Sequence, residues 1–261
     1  MRKNLSNRLY IATICGRWQE IADEYGVGIE LDFYCQAENM DGDIGAKVKA
    51  MVYKTLQKYH VGVMHAPFNE LFPAAIDPLA RQLAMDRLNS AASLALEFGI
   101  KKMVVHSGYV PFTYFKAWQV DSSIKFWQEF MADKPQDFEI AIENVLDDEP
   151  SMLVDIAKGV NLHNVGLCFD AGHANITQRV NPDTGVGQDE WLDAMAPYLK
   201  HLHIHNNDGT GDFHKDLGEG TLDIERLLDG VLEKCSPETT ITAETLSGKE
   251  SFKWLSERGY I

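Results

Sequence analysis

The stretch VGLCFDAGHAN (residues 165–175) runs from apolar residues straight into an acid, a glycine and a histidine. A short run rich in Val, Leu and Phe suits a strand buried on both faces, as in a parallel sheet. Asp170 and His173 then fall at its exit, where the chain leaves for a connection and both can point into one mouth. The same pattern recurs along the chain. VGVMHAPF (61–68) ends on His65, KKMVVHSG (101–108) on His106 and FEIAIENV (138–145) on Glu143. HLHIHNND (201–208) supplies His203 and His205, and TTITAETL (239–246) supplies Glu244. GDFHKDLGEG (211–220) adds Asp212 and His214 in the loop that follows the His203 run.

Working outward, strand runs are predicted over residues 8–14, 27–33, 60–66, 101–107, 138–144, 164–170, 200–206 and 239–245. Helical patterns lie between them over 43–60, 77–99, 150–159, 189–200, 222–234 and 248–259. The 77–99 segment is the best signalled, with Asp77 as N-cap, Pro78 in the first turn and Gly99 just past the end. The segment 108–137 is long for one crossover and rich in aromatics. It is expected to hold a helix plus an extra loop on the strand-exit side, its aromatics packing on the barrel by default, with walling of a substrate pocket as the alternative. Eight strand–helix units in unbroken order predict an α/β chain folded as a (β/α)8 TIM barrel, one domain over residues 1–261. No G-x-G-x-x-G follows the first strand run, which argues against an open dinucleotide-binding sheet.

Composition narrows the classes. The 261 residues are 45% hydrophobic and 24% charged, with no Pro/Gly/Ser-rich linker and no charge block to mark a boundary. The formal net charge of −15 repels phosphate backbones, which weighs against a nucleic-acid partner. The four cysteines (Cys15, Cys35, Cys168, Cys235) show no C-x-x-C and no framework spacing, as expected of a reducing cytoplasm. Cys168, inside a strand run, reads as a small buried hydrophobe. The basic N-terminal stretch lacks a signal-peptide apolar core. No stretch reaches the roughly 18 apolar residues of a membrane span.

Each candidate ligand has a plain structural explanation when taken alone. The carboxylates are the hardest to dismiss, because Glu143 and Glu244 end runs that are otherwise apolar and a buried unpaired carboxylate is costly. A shared divalent cation satisfies both. In HLHIHNND, His201, His203 and His205 share one face but climb by roughly 7 Å per pair, too far for one ion. His203 is expected level with the other ligands, with His205 reaching a substrate or second metal and His201 lower in the core.

With these residues in hand, the chain resembles the xylose isomerase-like barrel superfamily, which includes sugar phosphate isomerases/epimerases and endonuclease IV. The motifs that carry it are GIELDF, H-A-P-F, H-S-G, I-E-N, F-D-A-G-H-A-N, H-I-H-N-N-D-G and H-K-D-L-G-E-G. The resemblance implies one divalent metal (Mn, Mg, Co or Zn) on Glu143, Asp170, His203 and Glu244. It implies a sugar or sugar phosphate isomerised or epimerised through a metal-stabilised enediolate, with Glu143 and Glu244 as acid and base. In the endonuclease branch His65, His106, His173, Asp212 and His214 extend the site to three zinc ions for phosphodiester hydrolysis. The acidic loop YCQAENMDGD favours the sugar branch, since a DNA-gripping loop needs Arg and Lys. A metabolite-binding barrel without catalysis is the remaining alternative.

Overall fold

The computed structural model describes residues 4–180 and 185–261. Residues 1–3, the start of the basic N-terminal stretch, therefore lie outside the described residues. Eight parallel strands, β1 (Leu9–Ala12), β2 (Gly28–Leu31), β3 (Val61–His65), β4 (Lys102–His106), β5 (Glu139–Glu143), β6 (Val165–Asp170), β7 (Leu199–Ile204) and β8 (Thr240–Ala243), pair in sequence order. β8 pairs back on β1, which closes the sheet into a barrel as the alternation of runs predicts.

Among the described residues the surrounding helices are α1 (Trp18–Tyr25), α2 (Gly42–Leu56), α3 (Pro78–Glu97), α4 (Lys116–Met131), α5 (Ser151–Val160), α6 (Ala171–Val180), α7 (Gln188–Met195), α8 (Ile224–Lys234) and α9 (Lys249–Glu257). The outward faces of the strands and the inner faces of the helices share one large apolar cluster, with Trp127, Trp191 and Phe169 fully buried. The signals at α3 act as read: the Asp77 side chain accepts the Leu79 N–H at 2.7 Å, and Gly99 takes a left-handed φ of 74°.

Three expectations need correction. The helix expected over 189–200 stops at Met195, and a short 3-10 turn containing Pro197 leads into β7 at Leu199. The proline breaks the α-helical ladder there. AGHAN is not a loop, because α6 starts directly at Ala171. Asp170 Oδ1 accepts the His173 backbone N–H at 2.7 Å, so the acid at the strand end also satisfies a free donor of the helix that follows. The segment 108–137 does hold one helix and a loop, but its aromatics divide. Phe126 and Trp127 are buried, whereas Phe112 and Phe115 stand in solvent.

Candidate metal and active site

Every second residue of a barrel strand faces the lumen, and in this chain several strands carry a polar ladder there. β7 and its exit supply His201, His203 and His205, all fully buried. β8 and its exit supply Thr240, Thr242 and Glu244, and β5 supplies Glu139, Ala141 and Glu143. A small apolar layer of Tyr10, Val63, Val104, Ala141 and Cys168 fills the middle of the lumen.

At the C-terminal mouth the ladders converge. Glu143, Asp170, His203 and Glu244 each offer an atom, and these four atoms lie within 4.8 Å of one another. His203 Nδ1 is 3.1 Å from Glu143 Oε1, 3.5 Å from Glu244 Oε2 and 3.8 Å from Asp170 Oδ2. Asp170 is completely buried, yet its Oδ2 has no hydrogen-bond partner. A carboxylate oxygen taken out of water without a donor is costly, and it is well placed for a cation. The chemistry and burial of the four residues thus fit a divalent ion.

Two further groups adjoin this quartet. His65, His106 and Glu143 form one, with His65 Nε2 and His106 Nε2 at 3.1 and 3.5 Å from Glu143 Oε2. His205, Asp212 and His214 form the other. Asp212 Oδ2 lies 3.3 Å from His173 Nε2 and 3.1 Å from His214 Nε2, so His173 reaches this group from α6. His205 stacks on His214 with centroids 4.0 Å apart, and neither of its ring nitrogens has a hydrogen-bond partner. Gly172 makes room for it: a Cβ there would sit 2.0 Å from the His205 ring. All ten predicted site residues meet at this mouth, His203 in the quartet and His205 in an outer group. His201 is lower, bonded to Glu30, as its place in the ladder implies.

The histidine rings are oriented from behind. His65 Nδ1–H donates to Ala66 O (2.9 Å), His173 Nδ1–H to Asn144 O (2.9 Å) and His214 Nδ1–H to Glu244 O (2.6 Å). Because a carbonyl can only accept, each Nδ1 carries a proton and each Nε2 is turned towards the site, where it meets a carboxylate. Metal-binding histidines are held in this way.

The charges are tightly balanced. Burial pushes the Glu143 carboxyl up, but His203 and His106 outweigh it and hold the group well below the usual carboxylate range. Asp170 is held at about 2, burial again being overcome, here by His173 and His205. His173 rises to about 10, as Asp170, Asp212 and Glu143 prevail over burial. Burial wins at His106, which falls to about 3.

A cavity of about 560 Å³ opens over the cluster. Its floor includes Glu143, His173, Asp212 and Glu244, and Phe33, Phe68 and Asn39 form part of its walls. Phe68 also stacks on His106 with centroids 4.2 Å apart. The size is that of a small-molecule pocket. Reasoning from sequence missed Glu30, Asp32 and Cys35. Asp32 and Cys35 line the cavity, and Glu30 lies fully buried beneath it. The two acids of GIELDF, set into an apolar strand, posed the same burial problem as Glu143 and were the available signal.

Residues 20–258 match the family described as xylose isomerase-like TIM barrel, and the chain belongs to it. Among curated relatives, the uncharacterized protein MJ1311 of Methanocaldococcus jannaschii is 31% identical over 181 residues, 66% of this chain. The match spans 60% of that relative's own length. Among solved structures, a D-tagatose 3-epimerase-like protein superposes with a TM-score of 0.76 at 23% identity, covering 96% of both chains. The IOLI protein, solved with a bound zinc atom, gives 0.69 at 16% identity over 97% of this chain and 94% of its own. D-psicose 3-epimerase of Clostridium cellulolyticum H10, solved with D-tagatose, gives 0.66 at 15% identity over 90% and 84%.

Proposed function

We propose that this chain is a divalent-metal-dependent isomerase or epimerase acting on a sugar or sugar phosphate. The observation that carries the reading is the buried quartet of Glu143, Asp170, His203 and Glu244 beneath a pocket of monosaccharide scale. These four residues would hold the ion, whose contribution is Lewis-acid polarisation of a carbonyl and its neighbouring hydroxyl. Glu143 and Glu244 approach the cavity from strands on different sides of the barrel. One removes a proton from the carbon beside the carbonyl and the other returns one. His173, which lines the cavity, holds a hydroxyl, and the walls of the pocket limit access of water to the reacting carbon.

The test is proton exchange. A panel of keto- and aldo-sugars, free and phosphorylated, is incubated in D2O with Mn²⁺, Mg²⁺, Co²⁺ or Zn²⁺ and followed by NMR. Deuterium is expected at the carbon beside the carbonyl, and Glu143→Gln is expected to slow exchange about 10²- to 10⁴-fold. Undiminished exchange in that variant overturns the acid/base assignment.

A second reading draws on a separate observation, the two outer groups His65–His106–Glu143 and His205–Asp212–His214. With zinc in those as well, the centre suits phosphodiester hydrolysis, metal-rich sites being able to clamp both the attacking and leaving oxygens. Metal analysis separates the two. Near one ion per chain with sugar exchange supports the isomerase; near three zinc ions with cleavage of an abasic oligonucleotide supports the hydrolase.

A further inference from the structure

Beneath the quartet lies a carboxylate that contacts no part of the cavity. Glu30, on β2, is fully buried, and its oxygens face three polar partners across the lumen. Oε1 is 3.2 Å from His203 Nε2, and Oε2 is 3.0 Å from His201 Nε2. The Thr242 hydroxyl also donates to Oε2. An ionised carboxylate only accepts, so each of these partners must be the donor. His201 turns Nε2 to Glu30, and its Nδ1 faces the Thr240 hydroxyl at 2.6 Å.

Nδ1 of the His203 ring lies 3.1 Å from Glu143 Oε1, so without an ion both ring nitrogens face carboxylates, and an ion that takes the place of the Nδ1 proton leaves Nε2–H on Glu30. With Nε2 carrying the proton bonded to Glu30, the ring must present Nδ1 to Glu143, Asp170 and Glu244. We propose that Glu30 is a positioning residue for the metal centre, holding the His203 imidazole from inside the barrel so that Nδ1 is its metal-binding atom. The inference rests on reading the quartet as a metal site. Glu30, His201 and His203 also come within ligand range of one another, but Glu30 and His201 lie below the cavity, and the Thr242 hydroxyl already occupies Oε2. The group is a bonded array beneath the ion.

The chemistry makes Glu30→Gln the informative variant. Glutamine keeps the volume but has one accepting oxygen and an NH₂ that donates, so it cannot accept from both His203 and His201. Zinc affinity, measured by competition with a chromophoric chelator, is expected to weaken about 10- to 100-fold, in line with the loss of an outer-shell carboxylate. Zinc stoichiometry should be unchanged. Ring ¹⁵N shifts of the zinc-loaded protein should show His203 protonated at Nε2 in the wild type and a disturbed tautomer in the variant. Thr242→Val, which keeps Glu30 but removes one donor holding it, should weaken zinc binding in the same direction by a smaller factor, and it decides the matter if Glu30→Gln does not fold.

Wild-type affinity and tautomer in whichever variant folds overturn the inference. A drop of one zinc per chain in Glu30→Gln also overturns it, making Glu30 a ligand. Sugar turnover does not enter these readouts. A wild type that binds zinc but exchanges no sugar proton defeats the isomerase proposal and leaves this one standing.

Discussion

Asp170 does two things with one carboxylate: Oδ1 accepts the first turn of α6, and Oδ2 lies buried without a donor among the other ligands. That division sets an expectation for metal binding. Replacing a neighbouring acid that bonds to no helix, as in Glu244→Gln, removes one negative charge from a crowded site. It should shrink the rise in melting temperature that added Zn²⁺ or Mn²⁺ produces; scanning calorimetry with and without metal checks this, and an undiminished rise contradicts the argument. Gly172→Ala is expected to disturb the His205 ring, because its Cβ would lie 2.0 Å from that ring. The substitution should weaken binding of any second metal ion more than the first, as read by a two-step titration. Glu143 and Glu244 were legible because a buried acid is expensive unless shared, whereas the half-exposed Asp212 was legible only through its spacing to His214 in one loop. Glu30 was not singled out, since GIELDF reads equally as a strand and nothing local reveals that its partners lie on β7 and β8.

At the scale of elements, the strands and the better-signalled helices could be read because their local chemistry agrees with their place in the fold. Apolar runs mark β3 to β8, and Asp77, Pro78 and Gly99 mark α3. What escaped were α1 and α6. Both are short, and α6 begins without any turn residue between it and β6, so its cap is also a candidate ligand. Loss of the Asp77 cap in Asp77→Ala should destabilise the chain by about 1 kcal/mol without changing metal affinity; denaturant unfolding beside a zinc titration tests the separation. The loop after β5 offers a pH test. Asp147 is buried, accepts from Ser107 Oγ (2.8 Å) and Val145 N (3.0 Å), and is pushed up to about 6 by burial. An acid whose folded pKa is raised binds its proton more tightly in the native state, so its contribution to stability is present at low pH and is lost as pH rises from about 4 towards 6. Asp147→Asn removes that titration. The wild type should lose stability relative to the variant across this window, and parallel curves would contradict the assignment.

For the whole molecule, the closed barrel gathers residues from distant parts of the sequence onto one face, as barrels of this kind do with their active sites. The net charge of −15 sets the company such a face can keep. Among the described residues no helix is long and apolar enough to cross a membrane. Removal of metal should act on the molecule as a whole: at a free ion concentration near 100 times Kd, binding to the native state alone stabilises it by about 2.7 kcal/mol. Chelation is therefore expected to lower the melting temperature of the whole cooperative transition, and a chelator-insensitive transition would count against a site formed by the native fold.

The rings of His65, His173 and His214 lean on carbonyls of the main chain, which every amino acid supplies, so no substitution at those supporting positions removes the acceptor. The His203 ring instead hydrogen-bonds a side chain, that of Glu30. The centre thus has three hinges welded to the backbone and one that can be exchanged. The exchangeable one sits on β2, beneath the cavity rather than in its lining, so it can change without a new group entering the pocket.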